Sequence, residues 1–215
     1  MEFSKDKWKI YTWKNWMMIH WILNPGLAFN ELILGQRVPK LSLVDKTSDK
    51  PLLERSYVPC PHCDEIHDHR IWSNQKNTGF KNWFGLYCPN CGEIIPCLRN
   101  ALSALLLLVL FPIGYFVKDR MKESWLKKQP IRYENINIDN IKNPYEGTGW
   151  VKQGLNWGLF MFIIMALAYP LAIYQTLEIK SVLIGIPLWA FGGLFWGYMM
   201  KTFYAPKNNT ATSDK

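Results

Sequence analysis

Residues 60–63 read Cys-Pro-His-Cys and residues 88–91 read Cys-Pro-Asn-Cys, with 24 residues between the two pairs. Each pair carries a proline directly after its first cysteine. A Cys-x-x-Cys turn presents two thiolates from one tight loop. Two such turns close a tetrahedral shell around a single metal ion, most often zinc. The candidate metal ligands are therefore Cys60, Cys63, Cys88 and Cys91, and no residue is given a catalytic or organic-cofactor role. The competing use of these four residues, two disulfides or four buried thiols, fits the paired spacing less well. An apolar run, residues 101–117, begins almost at once after the second pair. A small metal-stapled module next to membrane segments is the expected organisation.

Charge and tryptophan placement agree with that. The 215 residues carry a formal net charge of +8, spread along the polar segments. Residues 1–100 hold 13 Lys/Arg against 10 Asp/Glu, residues 118–153 hold 8 against 5, and residues 154–200 contain only Glu178 and Lys180. A nucleic-acid binder would concentrate cations in one stripe; near the knuckles there are only Arg70, Lys76 and Lys81. Basic residues flanking apolar runs suit anionic lipid instead. Of the 11 tryptophans, Trp150, Trp157, Trp189 and Trp196 lie at or near the ends of apolar runs, where indoles prefer the membrane interface.

Along the chain, residues 1–26 mix Lys5, Lys7, Lys9 and Lys14 with Trp8, Trp13, Trp16 and Trp21 before a turn at Asn24-Pro25-Gly26. This composition predicts an interfacial amphipathic helix. It lacks the apolar core and small-residue site of a cleavable signal peptide. Residues 27–100 read as a β-rich domain. Strands are expected at Lys40–Val44 and Arg55–Val58 around a polar turn, Lys46–Pro51. Between the knuckles, Arg70–Trp72 and Trp83–Tyr87 are expected to pair as a hairpin turned at Asn77-Thr78-Gly79. Residues 101–117 are a short membrane segment at the lower limit for a span, interrupted at Phe111-Pro-Ile-Gly114; they either cross or re-enter. Residues 118–153 are a basic polar loop. Residues 154–204 form a transmembrane helical hairpin whose arms, Gly154–Leu177 and Ser181–Met200, are joined by Glu178-Ile-Lys180. Gly154/Gly158 and Gly193/Gly197 are small-residue pairs four apart, a spacing that lets helix backbones approach in lipid. Residues 205–215 are expected to be a disordered tail.

The local sequences CPHCD and YCPNCGE resemble the knuckles of zinc-ribbon and rubredoxin-like proteins, over residues 60–92 only. The resemblance implies a metal-stapled β-hairpin module of a type used to bind proteins or nucleic acids. It departs from the pattern at Asp64, where glycine is usual; Gly92 keeps it. Aspartate tolerates the left-handed turn, so the metal site survives the change. The fold class is thus a membrane protein: a small β-rich zinc-ribbon domain followed by α-helical membrane segments, a helical hairpin plus one short apolar segment. The cofactor is one structural zinc ion, with iron the less favoured metal.

His62, His67 and His69 with Asp64, Glu65 and Asp68 form a second polar cluster, read as a solvated turn in preference to a second metal site. Cys97 is left over at the membrane edge and reads as a lone thiol. No nucleophile-elbow, phosphate-loop or H-E-x-x-H pattern occurs, which leans against an enzyme. Both hairpin arms lack Asp, Glu, Lys, Arg and His, unlike carriers and pumps. The expected function is a membrane-anchored adaptor, assembly or regulatory subunit contacting lipid and a protein partner in a membrane complex. The alternatives are an electron carrier or enzyme subunit with a four-cysteine iron site and, behind it, a nucleic-acid-binding ribbon.

Sidedness pulls two ways. Free thiols favour an integral membrane protein with its zinc-ribbon domain facing the reducing cytoplasm. Yet if residues 101–117 cross, the cations from Lys118 to Arg132 claim the inside and put the cysteines outside. A segment that does not cross removes the conflict.

Overall fold

Leu43 and Val58, both fully buried, mark the centre of a four-stranded antiparallel sheet. The strands run in sequence order: β1 (Trp8–Tyr11), β2 (Ser42–Asp45), β3 (Ser56–Pro59) and β4 (Ile66–Asp68). The register places Ile10 opposite Leu43, Leu43 opposite Tyr57 and Val58 opposite His67. β2 and β3 fall where their aliphatic and aromatic content predicts strands. The computed structural model describes residues 2–204, so the tail expected over 205–215 lies outside the described residues. The chain divides into two units, Met1–Ile141 and Lys142–Lys215.

The single helix expected over residues 1–26 is not formed. Trp8–Tyr11 is the edge strand, and helix α1 covers only Trp16–Leu23. Lys7-Trp8-Lys9-Ile10 alternates charged and apolar residues, which is the period of a strand. Trp8 packs edge-on against Tyr57 at 5.3 Å, a contact a helix would forfeit. The Asn15 side chain accepts a hydrogen bond from the Thr12 amide at 2.7 Å and makes the turn between the two elements.

The hairpin expected between the knuckles is also rearranged. β5 (Leu86–Tyr87) pairs with β6 (Ile94–Ile95). His69–Trp72 is a tight helical turn, capped by Asp68 accepting from the Arg70 amide at 2.8 Å. The strand pattern at 70–72 loses to that cap. Asn77 turns where expected, with φ of 56°. Buried Thr78 donates to the Ile71 carbonyl at 2.5 Å, and buried Asn82 donates to the Thr78 carbonyl at 2.7 Å, which ties the long inter-knuckle loop to itself.

The apolar run is broken. Helix α3 (Ala101–Val109) is followed by helix α4 (Phe111–Tyr133), and the chain bends by 119° between Ala101–Val109 and Gly114–Tyr133. Much of the expected 118–153 loop is therefore helical. Trp125, Gln129 and Tyr133, spaced by four, are buried on one face of α4, while Lys127 and Lys128 are exposed. That periodicity sits inside a segment whose overall composition reads as polar loop.

Asn100 fixes the start of α3. Its Oδ1 accepts from the Leu102 and Ser103 amides, and its Nδ2 donates to the Trp21 and Asn24 carbonyls at 2.8 Å each. Its own amide donates to Glu31 Oε2 at 2.7 Å. Glu31, in the wide helical turn Asn30–Leu34 that follows helix α2 (Gly26–Phe29), is fully buried and paired with Arg37. Asn100→Ala removes the cap and strands two carbonyls. The expected cost is about 2 kcal/mol or more, read as a lowered denaturation midpoint.

The second unit is a helical hairpin. One arm runs from Gly149 to Tyr174: helix α5 (Gly149–Phe162), a wide turn at Ile163–Ala168, and helix α6 (Tyr169–Tyr174). The other arm is helix α7 (Ile179–Tyr204). Both are 26 residues, long and apolar enough to cross a membrane. The wide turn precedes Pro170, whose missing N–H would otherwise leave a gap in a regular helix. Gln175, with φ of 56°, ends the first arm. Ile179 and Lys180, expected in the link, begin the second arm.

The two glycine pairs face each other. A Cβ on Gly154 would lie 2.5 Å from the Gly193 carbonyl oxygen, and Gly158, Gly193 and Gly197 likewise abut backbone of the opposite arm. Trp157 stacks on Trp196 at 5.3 Å with planes 9° apart and meets Trp189 edge-on. These half-buried indoles pack arm against arm as well as lying near the run ends.

Candidate metal centre

Each Cys-x-x-Cys is the tip of its own short hairpin. β3 leads into Cys60–Cys63 and β4 leads out; β5 leads into Cys88–Cys91 and β6 leads out. The hydrogen bonds repeat. The Cys60 amide donates to the Glu65 carbonyl and the Cys88 amide to the Glu93 carbonyl, both at 2.9 Å. The Asp64 amide returns to the Cys60 carbonyl at 3.1 Å, and the Gly92 amide to the Cys88 carbonyl at 2.9 Å. Asp64 has φ of 58° and Gly92 of 78°, so the aspartate takes the left-handed position that glycine occupies in the second knuckle.

The four thiols converge. Their Sγ atoms all lie within 4.8 Å of one another, with Cys60 to Cys91 at 3.7 Å and Cys63 to Cys88 at 3.8 Å. A tetrahedron of sulfurs ~2.3 Å from a central ion has edges of ~3.8 Å. The site is thus shaped for one metal ion, and the sulfurs are too far apart to be disulfide-bonded; all the cysteines are free. Cys60 and Cys88 are fully buried in the main hydrophobic cluster with Val58, Ile71, Trp72 and Leu86, whereas Cys63 is half-buried and Cys91 exposed.

Environment splits the thiols. Burial raises the Cys60 and Cys88 thiols above their ordinary value. A hydrogen bond from the Asn90 side chain, joined by the Glu65 amide, lowers Cys63 to about 7. A metal must displace the protons of the two buried thiols at neutral pH. Protons therefore compete harder as pH falls, and metal affinity rises with pH. The two buried thiols alone give an expected increase of about 100-fold per pH unit between pH 6 and 8, and each further proton released by the other two ligands steepens it, measurable by chelator competition.

The neighbouring histidines do not gather into a second site. Among the described residues, the four cysteines are the only group of three or more potential ligands within reach of one ion. His62 is exposed, and Asp68 pairs with Arg70 at 2.9 Å. His67 instead is buried, with Nε2 3.1 Å from Cys88 Sγ and its ring edge-on to Trp72. Burial lowers its pKa, so the ring is neutral at pH 7. With Nε2 protonated it donates to the sulfur, the supporting contact that orients a thiolate ligand. This contact follows from the β3–β4 register, which no local motif announces. Cys97 bonds to the Ile95 carbonyl at 3.5 Å, and burial pushes its thiol up to about 12, so it is an inert packing residue.

Helix α4 completes the module. Trp125 Nε1 donates to the Lys81 carbonyl at 2.6 Å, and Arg132 Nη2 to the Phe80 and Asn77 carbonyls at 2.8 and 2.9 Å. The Tyr133 ring meets Tyr87, next to the second knuckle, at 5.2 Å. The sequence hides this buttress because its buried residues, Trp125, Gln129 and Tyr133, stand among many charges.

The result is a zinc-ribbon-like pair of knuckles that can hold a metal ion, in a chain with two helices able to cross a membrane. No curated protein and no solved structure matches the chain. Residues 11–107, less than half of the chain and containing both knuckles, match a family described as a domain of unknown function (DUF8250).

Proposed function

We propose that this is a membrane-anchored zinc protein that serves as an adaptor or assembly subunit of a membrane complex, with its zinc-ribbon module facing the cytoplasm. One observation carries the reading: four sulfurs lie within 4.8 Å of one another, close enough to share one ion, and two of them are sunk in the core. Such a shell leaves no open position for water or substrate, which is the mark of a structural and not a hydrolytic metal. Zinc is the metal that closed four-thiolate sites ordinarily hold. The hairpin arms carry no Asp, Glu, Lys, Arg or His from 153 to 177 or from 181 to 200, which supports an anchor over a carrier. The free thiols support the cytoplasmic side.

Purification of the full chain in mild detergent after in-membrane cross-linking, with metal analysis of the same sample, tests this. The expected result is one zinc per chain and a stoichiometric protein partner that is lost with Cys88→Ser although the variant still reaches the membrane. A red sample that bleaches on reduction would replace zinc with redox iron. Absence of any stoichiometric partner would remove the adaptor role.

A further inference from the structure

We propose that the α3–α4 corner is a wedge that enters one leaflet of the bilayer and returns, taking lipid acyl chains as its ligand and headgroup phosphates at its rim. The proposal rests on the membrane reading above and adds a second, non-spanning lipid contact that fixes sidedness.

Length is the first argument. α3 has nine residues, ~14 Å at the helical rise. That is about half of the ~30 Å hydrocarbon core and matches a single leaflet. The chain then bends by 119° between Val109 and Gly114 and turns back.

Closure is the second argument. The start of α3 is tied by Asn100 to the Trp21 and Asn24 carbonyls and by its amide to Glu31. The far half of α4 is tied into the metal module by Trp125, Arg132 and Tyr133. Residues 100 and 125 therefore belong to one folded body. A bilayer cannot lie between two parts of one core, so a chain that enters lipid after Asn100 must leave by the same face before Trp125.

Surface chemistry is the third. Leu105, Leu108, Val109, Phe111, Tyr115 and Phe116 are all exposed, Phe116 at 80%. So large an apolar surface requires a cover. Lys118, Arg120 and Lys122 follow within two turns and are exposed, beginning ~3 Å further along the axis than Phe116. An apolar tip followed by a belt of cations is the profile of hydrocarbon followed by phosphate. Helix α1, which packs on α3, also exposes Trp16 and Met17. The two helices long and apolar enough to cross a membrane tether the same chain to a bilayer.

The arrangement also removes the conflict over sidedness. The cysteines and the cations of α4 lie on one side, as free thiols and the positive-inside rule both require.

Two measurements on the full chain test it. In intact cells, cysteines introduced as Lys50→Cys and Lys128→Cys should show the same accessibility to an impermeant maleimide. Labelling of one and protection of the other until permeabilisation would overturn the proposal. In vesicles of phosphatidylcholine and phosphatidylglycerol, a nitroxide at Leu108→Cys should collide several-fold more with oxygen than with a water-soluble nickel complex, and one at Lys122→Cys the reverse. A Leu108 label open to nickel, or shielded from both reagents by a protein partner, would overturn it. A label at Phe160→Cys in the hairpin reports the anchor separately. An oxygen-accessible Phe160 label beside a nickel-accessible Leu108 label would reject the wedge and keep the membrane anchor. A nickel-accessible Phe160 label would reject the anchor itself.

Discussion

Cys88→Ser is expected to yield a protein without tightly bound metal and without a cooperatively folded N-terminal unit. Cys88 is both ligand and core residue: fully buried, packed with Leu86 and Trp72, and held 3.1 Å from His67 Nε2. Serine is a poor ligand for a thiophilic ion and puts a hydroxyl where only a sulfur and an imidazole can answer it. Structural zinc contributes on the order of 10 kcal/mol of folding free energy in small modules, against the roughly 5–15 kcal/mol of net stability of a typical domain. Losing the ion is therefore enough to unfold the unit. Cys91→Ser is expected to do less to the packing, because Cys91 is exposed, while still weakening the metal. Thermal unfolding with parallel metal analysis separates the two. A Cys88→Ser protein that melts like the parent would show that the core, not the ion, holds the module.

Gly193→Leu is expected to open the membrane hairpin, and Gly192→Ala to leave it intact. At Gly193 a Cβ would run into the Gly154 carbonyl and the Gly158 backbone; at Gly192 nothing lies within 4 Å. Backbone against backbone cannot give way as a side chain can. Even alanine at 193 should cost about 3 kcal/mol through overpacking, and leucine more. Adding a methyl at 192 removes a helix-interior glycine and is worth up to about 1 kcal/mol in the other direction. The readout is the detergent concentration at which SDS titration separates the Trp157–Trp196 stack, followed by indole fluorescence. Equal midpoints for the two variants would mean that the glycine faces do not meet.

Much of the metal site could be read from residues alone, because a Cys-x-x-Cys turn is a local device and its partner is another copy of the same device. The left-handed Asp64 was readable for the same reason: it stands where Gly92 stands in the second knuckle. The spans of the hairpin were readable within a few residues, since length and apolar content decide them. What failed was non-local. Trp8–Tyr11 has the lysines and indoles of an interfacial helix, and only pairing with β2 makes it a strand. Arg70–Trp72 has strand-like residues, but Asp68 captures the Arg70 amide. Residues 118–133 average out as a polar loop because Trp125, Gln129 and Tyr133 are diluted by lysines. Their purpose is visible only against Lys81, Phe80 and Tyr87. His67 was one of several histidines in a polar turn until strand register aimed it at Cys88.

The most direct test of the central claim, a closed structural zinc site, is X-ray absorption at the zinc edge on full-length protein purified without added metal. The expected result is one zinc per chain with four sulfur neighbours at ~2.3 Å and no oxygen or nitrogen neighbour. Fewer than four sulfurs, a light-atom neighbour in the first coordination sphere, or iron in place of zinc would contradict it.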